Sequence, residues 1–281
     1  MSRKRFFPKA TAVAGYEWHI MLRNRWLAAF AVLFAVLSAF MFFWENSVFQ
    51  SRTSVGFSRQ TEALFTIMLQ LTPLMSLLIS SLSISAERKD GMTNLLRTYP
   101  LTLSQYVVGK FFGLFGAFFC ALLSGVFVVN GLISLLAKNN SVFSQMLSLL
   151  LPGIFLTGIF TAIGLWIGSR VASRLSAVAG SLIIWFTAVY VYGMVMIVGL
   201  PYTPEGVQKP LLVAMLLLNP IETIRTGSVF WRGEGYIYGP DFYYWGNIIR
   251  SPLGIAASII LVILYMAVPL LFTVRRLKWR V

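Results

Sequence analysis

Six long apolar stretches, at residues 26–44, 63–86, 111–137, 143–169, 176–200 and 251–274, alternate along the chain with short polar segments. None of the six contains Asp, Glu, Lys, Arg or His. Uncharged runs longer than about 18 residues are the mark of membrane-spanning helices. Transmembrane strands would instead show segments of about ten residues alternating with period two, a pattern absent here. The pattern predicts an all-α membrane protein of six transmembrane helices, occupying residues 26–274.

The polar segments carry predictions of their own. Residues 1–25 are too mixed to span. Val13, Tyr16 and Ile20 recur at helical spacing, with Glu17, His19, Arg23 and Arg25 among them. That mixture suits an interfacial helix along the membrane surface leading into the first span. The basic start MSRKR precedes no short apolar h-region, so no cleavable signal peptide is expected.

Between the second and third runs lies AERKDGMTNLLRTYPLTLSQYVVGK, residues 86–110. Asp90-Gly91 is a turn signal able to end a helix. Met92, Leu95, Leu96 and Tyr99 then fall at three-to-four-residue spacing and predict a short amphipathic helix. Pro100 stops it by biasing Tyr99 out of the helical region. Thr102 and Gln105 match a capping box and would begin the next helix. A short apolar helix outside the bilayer suits either a protein groove, with Leu95 and Leu96 as anchors, or the lipid headgroups.

Residues 201–250 form the longest segment between spans. Residues 210–218 are apolar but too short to cross, which suits a re-entrant or interfacial helix. Asn219-Pro220 is a stop-and-turn signal. Half of FWRGEGYIYGPDFYYW, which includes Trp231 and Tyr236, is aromatic. Such residues favour the headgroup layer, and they also serve as anchors for a docked partner.

Composition sharpens this picture. The 281 residues are 58% hydrophobic and 11% charged, too little polar surface for a soluble protein of this size. The net charge of +14 could suggest nucleic acid, but its distribution follows the membrane instead. With the N-terminus inside, sixteen Lys and Arg fall on the inner side and seven on the outer. The positive-inside rule then places both termini, including the basic tail 275–281, in the cytoplasm.

Several chemistries find no residues to carry them. There is no P-loop sequence, and one His and one Cys make no zinc site, so no catalytic or metal-binding residues are expected. Uncharged spans lack the ionisable relays of proton-coupled pumps. Any energy for transport is therefore expected from another subunit. Gln70, Pro73 and Ser80 in the second run could face a central path or simply bond neighbouring helices. Gly109 with Gly113, and Gly164 with Gly168, permit close helix contact in lipid.

The cytoplasmic loop carries a resemblance. Glu87, Gly91, Leu96, Pro100, Gly109 and Lys110 are arranged as in the first cytoplasmic loop of ABC transporter permeases of the ABC-2 type. The family more often has Gly-Thr after the charges, where this chain has Gly91-Met92-Thr93. The resemblance implies six spans, an N-terminal interfacial helix and a coupling helix seated in a groove of an ATPase subunit. It makes Glu87, Gly91, Met92, Leu95, Leu96, Arg97 and Pro100 the ATPase-coupling residues. Two ATPase copies would bind ATP and magnesium, and a second permease copy would complete a homodimer.

Leu218, Asn219, Pro220, Glu222 and Arg225, with RNRWL at 23–27, are similar to the permease group of nitrous-oxide-reductase maturation. That group works with a periplasmic protein serving copper-site assembly. The likeness implies an extracytoplasmic accessory partner docking on Asn219, Pro220, Glu222, Arg225, Trp231 and Tyr236. Two alternatives stand beside it: an exporter of lipid, peptide or drug-like compounds, and a non-transporting membrane scaffold.

Overall fold

The computed structural model describes residues 7–48, 54–92, 98–137, 141–171, 173–232 and 250–277. Every regular element among them is helical. Helices α1 (Phe7–Leu22) and α2 (Arg25–Val48) meet at 64°. Helices α3 (Ser54–Lys89), α4 (Leu103–Ala137) and α5 (Ser141–Arg170) follow. Next come α6 (Arg174–Phe186), a π-turn (Thr187–Val191) and α7 (Tyr192–Gly199), which together make one long rod. Helices α8 (Glu205–Leu218) and α9 (Pro220–Arg232) form a hairpin bent by 108°, and α10 (Pro252–Arg276) ends the bundle.

Five stretches are each long and apolar enough to cross a bilayer: Glu62–Lys89, Leu103–Gly125, Leu149–Arg170, Arg174–Tyr202 and Pro252–Arg276. Counting each bent pair as one more gives seven. The expectation of six therefore becomes a range of five to seven. The difference comes from the bends, since hydropathy records how apolar a segment is and not whether it crosses or doubles back.

The helices overrun the apolar runs because their ends are capped by polar residues. Gly91 adopts φ +73, the left-handed conformation that closes helices, just after α3. Thr102 and Gln105 start α4 as a reciprocal capping box: Thr102 N donates to Gln105 Oε1 at 2.9 Å, and Gln105 N donates to Thr102 Oγ1 at 3.3 Å.

Helix α5 is the centre of the bundle, packed by α3, α4, α9 and α10. One apolar core joins Phe65, Met68 and Leu77 of α3 to Leu156 and Phe160 of α5 and Ile221 and Ile224 of α9. A second joins Phe30 of α2, Ile84 of α3, and Leu114 and Phe118 of α4. Where α3 meets α5 the backbones nearly touch: a Cβ at Gly164 would lie 2.8 Å from Leu77 O, and one at Gly168 would strike Ser81 O. Small residues allow this closeness, which in lipid replaces the hydrophobic drive for helix association. The α6–α7 rod and α10 present Ile183, Ile197, Ile260 and Ile263 outward.

Candidate functional site

The charged interruption after the second apolar run gathers the ends of five helices. Glu87, Arg88 and Asp90 each leave α3 toward a different neighbour. Arg88 Nη1 donates to Val171 O at 3.1 Å and also to Ser169 O, capping carbonyls at the end of α5. Asp90 accepts from Arg174 Nη2 at 3.0 Å at the start of α6, with both side chains more than half exposed. Glu87 turns toward α4.

There Lys110 lies fully buried between two carboxylates. Its Nζ is 2.5 Å from Glu17 Oε1 of α1 and 2.6 Å from Glu87 Oε1 of α3. The Tyr106 hydroxyl donates to Glu87 Oε2, and Ser83 Oγ donates to Glu17 Oε2 at 3.4 Å. Burial raises the Glu17 pKa above its ordinary value; Lys110 opposes that rise and Glu87 adds to it. Isolated buried charges are prohibitively costly, so this group is sustained by mutual pairing and hydroxyl donors. Three helices far apart in sequence thereby share one ammonium.

Glycine explains how α1 comes close enough. A Cβ at Gly109 would lie 2.5 Å from Ala10 O, and one at Gly113 would lie 2.6 Å from Ala14 O and from Glu17 Cβ. At Gly116 it would meet the Trp18 ring at 2.6 Å. The Gly109–Gly113 pair thus seats α1 on α4. Lys9 Nζ adds a bond to Pro100 O, tying the start of α1 to the connection between α3 and α4.

Of the residues singled out in that connection, Glu87 is in the cluster, Gly91 makes the turn and Met92 is half-buried, while Pro100 is exposed. Leu95, Leu96 and Arg97 lie outside the described residues. Sequence reasoning named Glu17 only as part of an amphipathic surface and did not single out Tyr106. Lys110 was noted for its place beside Gly109, yet nothing in the sequence paired it with a residue 93 positions earlier.

The hairpin forms a second polar centre, at its bend. Asn219 is buried there, and its Oδ1 accepts from Ile221 N at 3.0 Å, capping α9. Its Nδ2 donates to Ala188 O of the π-turn at 2.7 Å. The break at Pro220 strands the last carbonyls of α8, and three hydroxyls take them. Tyr192 donates to Met215 O at 2.6 Å, Thr223 Oγ1 donates to Leu216 O at 2.7 Å, and Tyr265 of α10 donates to Leu217 O. Glu222 is buried and bonded to Arg225 Nη2 at 2.5 Å, whereas Trp231 points outward.

Tyr236 lies outside the described residues. Tyr192, Thr223 and Tyr265 were not anticipated, because a hydroxyl within an apolar run gives no sign of the carbonyl it will meet. Gln70, Pro73 and Ser80 share α3; Gln70 O accepts from Trp185 Nε1 at 2.9 Å, and Ser80 packs at Gly164. Among the described residues no cluster of His, Cys, Asp and Glu is suited to holding a metal ion.

Residues 11–278 match the family described as ABC-2 family transporter protein. The chain belongs to the ABC-2 transporter family. Two curated relatives align over most of their length. A protein of Pseudomonas aeruginosa named "Probable ABC transporter permease protein NosY" is 32% identical over 232 residues, 78% of this chain and 80% of the relative. A protein of the same name from Stutzerimonas stutzeri is 29% identical over 213 residues, 73% of this chain and 75% of the relative. The ABC-2 chain is a multi-span membrane permease, a class that works with an ATPase subunit.

Proposed function

We propose that this permease carries force from a cytoplasmic ATPase into the membrane through the Glu17–Lys110–Glu87 cluster. The supporting observation is its position: the cluster joins α1, α3 and α4 beside the 91–100 connection, where a partner would push. A load on that connection reaches Glu87 through the end of α3 and reaches α1 through Pro100 and Lys9. Both carboxylates pull on the same ammonium, so α1, α3 and α4 move as one body.

In this reading the connection lies in the cytoplasm with both termini, in an inner membrane. Two ATPase chains hold ATP and magnesium, and two permease copies face each other. Replacing Leu95 and Leu96 by Asp is expected to abolish co-purification with the ATPase; undiminished binding would refute the docking site. Lys110→Met should keep the ATPase bound but disconnect ATP hydrolysis from movement of the spans, read as loss of ATP-dependent distance changes between labelled helices.

The favoured biological setting is maturation of nitrous oxide reductase, supported by the names of the two relatives and by the Asn219, Pro220, Glu222 and Arg225 hinge. An accessory protein outside the membrane would dock on the hairpin side, near Trp231. Deleting the gene should leave that enzyme short of copper if the setting is right. A fully loaded enzyme would instead favour an exporter of lipid, peptide or drug-like compounds. Catalytically dead ATPase chains that leave the phenotype intact would favour a passive scaffold.

A further inference from the structure

The π-turn at Thr187–Val191 sits midway along the Arg174–Tyr202 stretch. Single π-turns within α-helices are rare and concentrate where helices do more than pack. Here the amide of Tyr192 donates to Thr187 O, five residues back. In α-helical register the same amide would donate to Ala188 O, four residues back. Ala188 O instead accepts from Asn219 Nδ2 at 2.7 Å. Asn219 thus bonds the carbonyl that the π-turn releases from the Tyr192 amide.

Tyr192 is tied to the hairpin a second time, because its hydroxyl donates to Met215 O. Return to α register would turn α7 by about 100° relative to α6, the angle of one residue in a 3.6-residue turn. That rotation would carry the Tyr192 ring away from Met215 while the Tyr192 amide took Ala188 O. Both links between rod and hairpin would be lost in one movement.

We infer that Asn219 is a positioning residue whose bond to Ala188 O holds the rod in its π register. The seated hairpin and the π-turn form one state; the withdrawn hairpin and a continuous α-helix form the other. The inference goes beyond the proposed coupling route, and its test needs neither an ATPase nor a transported compound.

The test uses the full chain in lipid nanodiscs, with Cys120→Ala removing the one native thiol. Ile183→Cys and Ile197→Cys, both well exposed and on either side of the turn, carry spin labels. Asn219→Ser retains a capping oxygen for α9 but is too short to reach Ala188. It is expected to add a second distance population, displaced by about 3 Å, because the axial separation of the labels, about 21 Å, dilutes the sideways swing. Thr223→Val removes the cap on Leu216 O yet leaves the Asn219 bond in place, and should keep the original single distance.

A shift in both variants, in neither, or in Thr223→Val alone would overturn the inference. Should Asn219→Ser fail to fold, Asn219→Asp, which keeps the cap and loses the donor, carries the same expectation.

Discussion

The two polar centres of this permease solve opposite problems. At the end of α3, full charges are buried and must find counter-charges; at the α8–α9 bend, backbone carbonyls are stranded and need only donors. The first uses Lys110 between Glu17 and Glu87, and the second uses the neutral groups of Tyr192, Thr223, Tyr265 and Asn219. A shared ammonium binds its partners strongly and fails abruptly when one is lost. A set of hydroxyl bonds is weaker per contact and can exchange one acceptor for another. The contrast suits a rigid joint at one centre and a movable hinge at the other.

Removing the ammonium should separate them most clearly. Lys110→Met leaves the buried Glu17 and the partly exposed Glu87 without a counter-charge and is expected to cost about 3–5 kcal/mol. Thermal unfolding in detergent would show it, together with new protease cleavage near α1. Next comes steric wedging of the same joint: Gly113→Val places a side chain against Ala14 O and should cost about 1–3 kcal/mol. Lifting of α1 would be seen as increased hydrogen exchange at residues 10–22.

At the hinge, Tyr265→Phe deprives Leu217 O of a donor and is expected to cost about 1–3 kcal/mol, with the effect confined to exchange in α8 and α9. Equal loosening of α1 by this variant would erase the distinction between the two centres. The smallest effect belongs to Arg174→Ala. Its partner Asp90 and the guanidinium are both largely exposed, so less than about 1 kcal/mol should be lost, and less still at high salt.

How far these features were legible depends on their range. The apolar runs mark the helices because burial in lipid is a local property of composition. The Thr102 and Gln105 box and the Gly91 turn were readable for the same reason, since cap and turn chemistry acts within a few residues. Gly109 and Gly113 announced a close contact without naming its partner. That Glu17 would meet Lys110, or Asn219 would reach Ala188, depends on how helices align across the bundle. A single sequence holds no record of that alignment.

The π-turn was invisible because its residues, TAVYV, would serve equally well in an ordinary α-helix. The bend was anticipated from the short apolar run and Asn219-Pro220. Its tie to the middle of two spans was not.

The neutral chemistry of the bend has an electrical consequence. Voltage across a bilayer does work only on net charge that changes depth. The bend is held by amides and hydroxyls, and Glu222 and Arg225 beside it cancel. Polarising or discharging the membrane would therefore exert almost no pull on the bend itself, leaving its setting to mechanical load and bound partners.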